Sequence, residues 1–257
     1  MLIDSHCHLN HIEEYSVSEM LYLAQSKEVT HFLTICIEEK DIAELKALVK
    51  EHDNIRASIG IHPCDIHNHD HRTIYNKVEE ALEEAPEVFI GIGETGLDYY
   101  HSTQYKKLQQ ESFEKHIEIA KQFDCPVIVH SRKAPEDTVA ILKNQNAEKV
   151  IIHCFTEDEK MAKQCLDLGY TLSFSGIITF KNAQYLRDIV SFVPLEQLLV
   201  ETDSPYLAPS PFRGKVNQPA YVTEVVRKVA EIKNVTYQRI ADETSNNFKT
   251  LFGWPNV

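Results

Sequence analysis

Short apolar runs alternate with amphipathic segments along the whole chain, and this alternation predicts strands separated by helices. The runs are rich in valine and isoleucine and are apolar at consecutive positions, which is typical of strands buried on both faces of a parallel sheet. Eight runs have this character, at residues 1–3, 31–35, 55–61, 88–92, 126–129, 150–152, 170–174 and 198–200. The pattern therefore predicts a protein of the α/β class.

Helix signals stand between the predicted strands. Residues 16–19 and 156–159 have the Ser/Thr-x-x-Glu form of a capping box, which marks the start of a helix. Pro135 suits the first turn of a helix, where its missing N–H costs nothing. The valines between residues 222 and 229 recur at helical spacing and form one apolar stripe. Strands and helices are thus expected to follow one another in turn.

Eight strand–helix units close most naturally into a (β/α)8 TIM barrel, and residues 1–257 are predicted to form a single domain of this kind. The competing architecture is an open, doubly wound sheet, which usually brings a glycine-rich nucleotide-binding loop. The chain is expected to lack such a loop, because the glycine-rich run at residues 91–96 is interpreted as one residue short of the G-x-G-x-x-G motif. The barrel is therefore the favoured fold.

The composition is that of an ordinary globular protein, with 43% hydrophobic and 25% charged residues. No apolar run approaches the ~20 residues that a membrane span needs, and no secretion signal is expected, because no basic segment followed by a hydrophobic one opens the sequence. The six cysteines have no paired spacing and are expected to be reduced thiols. These features predict a cytoplasmic protein with no membrane partner. The oligomeric state stays open, with a monomer as the expectation.

The acidic balance of the chain restricts how it could hold a nucleic acid. Its formal net charge is −13, whereas nonspecific binding to nucleic acid normally depends on a basic surface. A substrate that carries phosphate must therefore be held by metal ions and by a local cluster of arginine and lysine.

Histidines and carboxylates stand where the apolar runs end, which is where barrel enzymes carry their chemistry. His6 and His8 are two residues apart on a strand and therefore point to the same side. The other strand ends supply His62, Glu94, His130, His153 and Asp203. Each of these residues alone is more often part of a hydrogen-bonded turn. Their accumulation on one rim indicates a metal site.

The number of these side chains points to a pair of metal ions. They exceed what one tetrahedral ion needs, and a bridging carboxylate lets two ions share them at a separation of roughly 3.5–4 Å. Imidazole-rich ligation favours zinc, manganese or iron over magnesium, which prefers oxygen ligands. Two divalent ions are expected, and the choice among zinc, manganese and magnesium stays open.

Several motifs together resemble one family, the TatD-like metal-dependent deoxyribonucleases of the amidohydrolase superfamily. They are Asp-Ser-His-Cys-His-Leu at 4–9, Gly-Ile-His-Pro at 60–63, Gly-Glu-Thr-Gly-Leu-Asp-Tyr at 93–99, Val-His-Ser-Arg at 129–132, His-Cys-Phe at 153–155, Glu-Thr-Asp-Ser-Pro-Tyr at 201–206, Arg-Gly-Lys-Val-Asn at 213–217 and Asn-Phe at 247–248. The resemblance runs nearly from end to end, and the motifs are highly specific in combination.

The resemblance implies a role for each residue at the strand ends. The implied metal ligands are His6, His8 and Asp203 for one ion and His130 and His153 for the other, with Glu94 bridging the two. Asp203 would also orient or deprotonate the attacking water. His62 would polarise a phosphate oxygen on the substrate side. Arg132 and Arg213 would neutralise phosphate charge, to which the planar guanidinium is suited.

The chain departs from the family pattern at two places. For some other polar residues, the sequence does not decide between a functional and a structural role. Thr156 and Glu157 replace the usual Ser-Gly after the His-Cys-Phe motif, which affects the shape of that loop, and Cys64 stands where bulkier residues are usual. Asp98 either supports the bridging ligand or makes a structural hydrogen bond. The histidines at positions 67, 69 and 71 are expected to form a solvated loop.

Three functions are consistent with these residues. The resemblance implies a phosphodiesterase that shortens single-stranded DNA from its 3′ end with metal-activated water. The second keeps the metals and changes the substrate to an ester or amide, such as an aminoacyl ester on tRNA or a lactone, and the acidic net charge supports it. The third is a non-catalytic metal-binding barrel, which the complete ligand set disfavours.

Overall fold

The computed structural model describes residues 1–70 and 73–255, and it contains the predicted strands and helices. The strands are β1 (Leu2–Cys7), β2 (Val29–Cys36), β3 (Ile55–Ile59), β4 (Phe89–Asp98), β5 (Val127–Arg132), β6 (Val150–Ile152), β7 (Thr171–Phe174) and β8 (Leu198–Val200). The α-helices are α1 (Val17–Gln25), α2 (Asp41–Glu51), α3 (Ile74–Glu84), α4 (Lys106–Gln122), α5 (Pro135–Asn144), α6 (Glu159–Asp167), α7 (Gln184–Phe192), α8 (Val222–Lys233) and α9 (Tyr237–Phe252).

The strands form one sheet of eight strands, and their order in the sheet is their order in the chain, β1 to β8. The neighbouring strands β1 and β2, β3 and β4, β4 and β5, β5 and β6, and β7 and β8 pair in parallel. Helices connect them, as parallel pairing requires. The predicted (β/α)8 TIM barrel is confirmed.

The open, doubly wound sheet is excluded by this strand order. The interpretation of residues 91–96 as one residue short of the motif was wrong. They read Gly-Ile-Gly-Glu-Thr-Gly and match G-x-G-x-x-G in full. A nucleotide-binding loop must follow a strand and open a helix. These residues instead lie inside β4, so the match has no such role.

Contacts divide the chain into two compact units, each with its own buried residues. Unit 1 consists of residues 1–34 and 171–257, and unit 2 of residues 35–170. In unit 1, helix α9 packs on β1 and β8, and Phe32 and Phe248 are fully buried. In unit 2, β4 lies between β3 and β5 and packs on α4, whose Phe113 and Ile117 are fully buried. The prediction that residues 1–257 form one domain stays a prediction.

Strands β1, β4 and β5 extend beyond the apolar runs that predicted them. β4 continues to Asp98 and β5 to Arg132, although both end in polar residues. Glu94 and Asp98 are buried there with 3% and 0% exposure. A buried polar side chain must find polar partners, and both of these carboxylates find one in His130. The hydrophobic pattern alone therefore predicted that these strands end several residues earlier in the sequence than they do.

The predicted capping boxes have different outcomes. Ser16 caps α1, accepting a hydrogen bond from the Glu19 N–H while the Glu19 side chain returns to Ser16. The second prediction was wrong, because Asp158 rather than Thr156 caps α6. Glu157 is turned inward, where its carboxylate accepts hydrogen bonds from the Ala134 N–H at 3.1 Å and from the Ser131 hydroxyl at 3.2 Å. The departure from the family pattern at Glu157 thus ties this loop to the segment after β5.

No helix of the described ranges has the length and apolar composition needed to cross a bilayer. None of the six cysteines, all of which lie in those ranges, forms a disulfide. In the histidine-rich loop, His67 is exposed and its ring stacks on Tyr105 with 4.3 Å between centroids. His71 lies outside the described residues.

His116 on α4 fixes the end of β3 from within the core. The Ile61 N–H donates to Nε2 at 3.1 Å, and Nδ1 donates to the Ser112 carbonyl at 2.8 Å. One ring nitrogen must accept and the other must donate, so the ring has to be neutral. Burial lowers the pKa of His116 from 6.5 to about 4, although the Ser112 hydrogen bond opposes the shift.

The lowered pKa of His116 predicts a loss of stability in acid. Between pH 6.5 and about 4 the unfolded chain binds a proton that the folded chain does not, so the free energy of unfolding falls as pH falls through this window. The loss from this residue is about 3 kcal/mol at about 1.4 kcal/mol per pKa unit. Urea denaturation of the metal-free protein at several pH values measures it.

The variant His116→Gln should show a shallower dependence of unfolding free energy on pH across this window. His52→Gln, at a partly exposed position, is the matched control and should keep the dependence of the parent protein. Equal slopes in the parent protein and His116→Gln would contradict the assignment.

Candidate metal centre

Backbone pairing between the end of β1 and the segment after β8 brings the first set of predicted ligands together. The Asp203 N–H donates to the His6 carbonyl at 2.9 Å, and the His8 N–H donates to the Ser204 carbonyl at 2.8 Å. These two bonds set the register between the strand that carries the histidines and the segment that carries the carboxylate. The position of Asp203 therefore depends on main-chain geometry and not on its side chain.

His6, His8 and Asp203, here called the Asp203 group, converge on one carboxylate oxygen. His6 Nε2 lies 3.7 Å and His8 Nε2 3.6 Å from Asp203 Oδ1. The two histidines are 0% and 4% exposed, and Asp203 is partly exposed. Asp203 has a φ of +55°, in the left-handed region that aspartate and asparagine tolerate better than most residues.

Two buried polar residues hold the segment that carries Asp203. The Asp4 carboxylate accepts hydrogen bonds from the Thr202 N–H at 2.8 Å and from the Thr202 hydroxyl at 2.6 Å. Asn217 donates through Nδ2 to the carbonyls of Thr202, at 2.8 Å, and Tyr206, at 2.5 Å. Asp4 and Asn217 belong to motifs seen in the sequence, but these positioning roles become visible only in the folded chain.

His62, Glu94, His130 and His153, here called the Glu94 group, converge on a second carboxylate oxygen. Glu94 Oε1 lies 2.7 Å from both His130 Nδ1 and His153 Nε2, and 3.5 Å from His62 Nε2. The expected convergence of Glu94 and His130 is therefore present. His62, expected on the substrate side, lies within reach of the same oxygen and joins the side chains that could hold a metal.

A glycine allows β4 and β5 to approach closely beside Glu94. Gly96 has a φ of +135°, and a Cβ atom built at this position would lie 2.2 Å from the His130 carbonyl oxygen. Any side chain here would push the two strands apart. The glycine of the Gly-Glu-Thr-Gly motif thus keeps Glu94 and His130 within hydrogen-bond distance.

Opposite charges keep Glu94 ionised. Burial by itself would raise the pKa of Glu94, but His153, His62 and the hydrogen bonds from the histidines outweigh burial and hold that pKa well below its usual range. Burial would likewise lower the pKa of His130, yet its hydrogen bonds to Asp98 and Glu94 raise it. A carboxylate that is ionised at neutral pH can accept a metal without first losing a proton.

Asp98 supports His130 from the opposite side of the ring. His130 Nε2 lies 3.1 Å from Asp98 Oδ2, and the hydrogen bonds of His130 and His101 hold the pKa of Asp98 below its usual range although burial would raise it. A carboxylate behind a ligating imidazole fixes its tautomer and raises its basicity. Asp98 therefore contacts His130 and not the expected bridging ligand Glu94. It also makes structural hydrogen bonds, because Oδ1 accepts from the N–H groups of Tyr100 and His101.

Both groups have the donor chemistry of a transition-metal site. The ligand atoms of His6, His8 and Asp203 lie within 4.8 Å of one another, as do those of His62, Glu94 and His130. Imidazole nitrogens with carboxylate oxygens and no sulfur suit zinc, manganese or iron. Each group could therefore hold a divalent ion, which when bound would activate water and polarise the bond to be cleaved.

The predicted phosphate-binding arginines lie on the surface, with their guanidinium groups stacked on aromatic rings. The Arg132 guanidinium lies 4.1 Å from the centroid of Tyr100, and that of Arg213 lies 3.7 Å from the centroid of Phe180. Arg213 also donates to the Ala208 carbonyl at 3.1 Å. Stacking orients each guanidinium and leaves hydrogen-bond donors for a ligand.

Comparisons with known proteins identify the family of this chain. A family model described as "TatD related DNase" matches residues 3–253. The chain is 44% identical to "Uncharacterized metal-dependent hydrolase YcfH" of Escherichia coli K12, over 98% of this chain and 95% of that one. It is 39% identical to "Uncharacterized metal-dependent hydrolase YabD" of Bacillus subtilis, over 98% and 99% of the two chains.

A solved structure has the same fold over nearly the whole chain. YJJV, a TatD homolog from Escherichia coli, matches with a TM-score of 0.91 at 29% identity, covering 99% of this chain and 98% of that one. The fold and the histidine–carboxylate groups define a metal-dependent hydrolase built on a (β/α)8 barrel. The chain belongs to the family of TatD-related DNases.

Proposed function

We propose that this hydrolase is a deoxyribonuclease that shortens single-stranded DNA from the 3′ end by metal-dependent hydrolysis of phosphodiester bonds. The observation that carries the proposal is the presence of two histidine–carboxylate groups. The ligand atoms of His6, His8 and Asp203 lie within 4.8 Å of one another, and Glu94 Oε1 lies 2.7 Å from both His130 and His153. Two-metal sites are typical of enzymes that cleave phosphodiesters. Reduced cysteines agree with the cytoplasmic location that is part of the proposal.

The proposal gives each group a task. His6, His8 and Asp203 would hold one ion, and Glu94, His130 and His153 would hold the other. The resemblance to the family assigns Glu94 to both ions, and this bridging role belongs to the proposal. Bound ions would supply an activated water and neutralise charge on the phosphate.

Protein side chains complete the reaction. The Asp203 carboxylate takes the proton of the attacking water, because a carboxylate can serve as a general base. His62 donates to a phosphate oxygen as negative charge develops on it. Arg132 and Arg213 bind phosphates of the strand, since the overall charge of −13 gives no general attraction to nucleic acid.

An exposed aromatic ring beside the Asp203 group supports a single-stranded substrate. Tyr206 is 57% exposed, and its ring centroid lies 6.3 Å from that of His8. Its main chain is held by Asn217, so the ring projects from an ordered segment. Exposed rings on such segments stack on the bases of single-stranded DNA.

The experiment that tests the proposal digests single-stranded DNA labelled at either end. The purified protein, stripped with a chelator and reloaded with manganese or zinc, should shorten the 5′-labelled strand stepwise and release the 3′ label at once. Aminoacyl-tRNA is assayed in parallel. Deacylation without DNA cleavage would overturn the proposal and favour the ester hydrolase, the candidate that the acidic net charge supports.

A pair of tyrosine variants sharpens the same test. Tyr206→Ala should raise the KM for single-stranded DNA about fivefold or more, because stacking of one base contributes ~1–3 kcal/mol. Tyr185→Ala is the matched control, since Tyr185 is 50% exposed on α7, in the same unit. Equal effects of the two substitutions would contradict stacking beside His8.

A further inference from the structure

A third set of metal-binding side chains lies in unit 2 outside the ligands assigned above. Its members are Cys64, Asp98 and His101, whose ligand atoms lie within 4.8 Å of one another. Cys64 follows the His-Pro pair after β3, and Asp98 ends β4 three residues before His101. His101 Nδ1 lies 2.8 Å from Asp98 Oδ2 and 3.8 Å from Cys64 Sγ.

The loop that carries His101 is fixed by the same aspartate. Asp98 Oδ1 accepts hydrogen bonds from the N–H groups of Tyr100 and His101, each at 2.9 Å. The other oxygen, Oδ2, is left to face the imidazole. The Asp98 side chain is completely buried, whereas that of His101 is 53% exposed. Asp98 and His101 are therefore held on one ordered turn, and the exposed ring of His101 is accessible to solvent.

A cysteine, a histidine and an aspartate could instead form a nucleophilic triad, but the geometry is wrong for one. In a triad, one ring nitrogen faces the nucleophile and the other faces the carboxylate. Here the same nitrogen, His101 Nδ1, faces both Cys64 Sγ and Asp98 Oδ2. Sulfur, nitrogen and oxygen thus converge on one point, as they do around a metal ion.

The geometry points to an auxiliary metal site formed by Cys64, Asp98 and His101, distinct from the Asp203 and Glu94 groups. Its mixture of thiolate, imidazole and carboxylate selects a thiophilic divalent cation of the zinc type, because magnesium and calcium require oxygen ligands. Three protein ligands are one fewer than a tetrahedral zinc ion takes, so a water molecule would complete the set.

The site is coupled to the Glu94 group through one shared atom. Asp98 Oδ2 lies 2.8 Å from His101 Nδ1 and 3.1 Å from His130 Nε2. A cation bound to this oxygen would compete with the contact between Asp98 and His130. Occupancy of the auxiliary site would therefore weaken the support that Asp98 gives to His130, a proposed metal ligand. The identity of the hydrolase substrate has no part in this inference.

Cobalt(II) is the probe that tests the auxiliary site, because cobalt bound to a thiolate gives a charge-transfer absorption band in the near ultraviolet. The Asp203 and Glu94 groups contain no sulfur, so they cannot produce this band. Titration of the metal-free protein should give a band that Cys64→Ser abolishes. Cys125→Ser, at another partly exposed cysteine outside the ligand groups found among residues 1–70 and 73–255, should keep it.

A second variant keeps the test decisive if Cys64→Ser disturbs the fold. His101→Ala removes an exposed ligand and should weaken cobalt binding by at least about tenfold, measured from the same band. Loss of even an outer partner of a metal ligand lowers metal affinity by about 10–100-fold, so loss of a direct ligand should cost at least the lower value. Absence of the band from the parent protein, or its persistence in Cys64→Ser, would overturn the inference. Both results are read from absorption and are independent of DNA cleavage, so failure of the proposed function would leave them unchanged.

Discussion

The variant Glu94→Gln is expected to lose more than about a hundredfold in kcat/KM for single-stranded DNA, because loss of even an outer partner of a metal ligand costs ~10–100-fold. Glutamine has nearly the same shape but no charge. Glu94 Oε1 is the atom that His130 and His153 approach at 2.7 Å, so the substitution removes the negative charge at the centre of the group. Steady-state kinetics with manganese or zinc measure the loss.

Metal content of the same variant tests the bridging role. If Glu94 binds both ions, elemental analysis should find less of both metals in Glu94→Gln than in the parent protein. Loss of only one metal would show that Glu94 binds a single ion. Glu148→Gln, at an exposed position, is the control and should keep both metals and full activity. Undiminished DNA cleavage by Glu94→Gln would refute the mechanism.

The variant Asp203→Asn is expected to lower kcat by about 10²–10⁴-fold, the usual contribution of a general base. Its fold should be preserved for two reasons. The hydrogen bond to the His6 carbonyl comes from the main-chain N–H, and asparagine tolerates the φ of +55° as well as aspartate does. A general-base role is read from the pH profile, in which the acidic limb of kcat should disappear.

Asp188→Asn is the control for this substitution, because Asp188 is on α7 and belongs to none of the ligand groups in the part of the chain that the structure describes. Circular dichroism and urea denaturation should show the same fold in both variants. An Asp203→Asn protein with the parent pH profile would show that another group accepts the proton.

Close main-chain approach explains why conservative changes near the ligands would have large effects. Gly96 allows β4 and β5 to come together beside Glu94, and the bonds between the β1 end and the segment after β8 set the register of Asp203. Errors of about 1 Å in such positions can cost ~10²-fold in rate. The ligands are therefore positioned by the scaffold as much as by their own side-chain contacts.

The amino-acid sequence by itself determined the fold class and the set of candidate ligands. Consecutive apolar positions identify strands that are buried on both faces, and the regular alternation with helices leaves few architectures that satisfy backbone hydrogen bonding. Histidines and carboxylates at the ends of those strands could be assigned to one rim, because parallel strands share a direction. Glu94, His130 and Asp203 were found in this way.

Tertiary structure decided which atoms meet. Hydrophobic periodicity could not show that β4 continues to Asp98, because polar residues enter a strand when partners from distant segments satisfy them. It also could not show that Glu157 turns inward to bind the Ala134 N–H, or that Cys64 and His101 meet across 37 positions of sequence. Such contacts depend on distances between segments far apart in the chain, and only the folded chain fixes those distances.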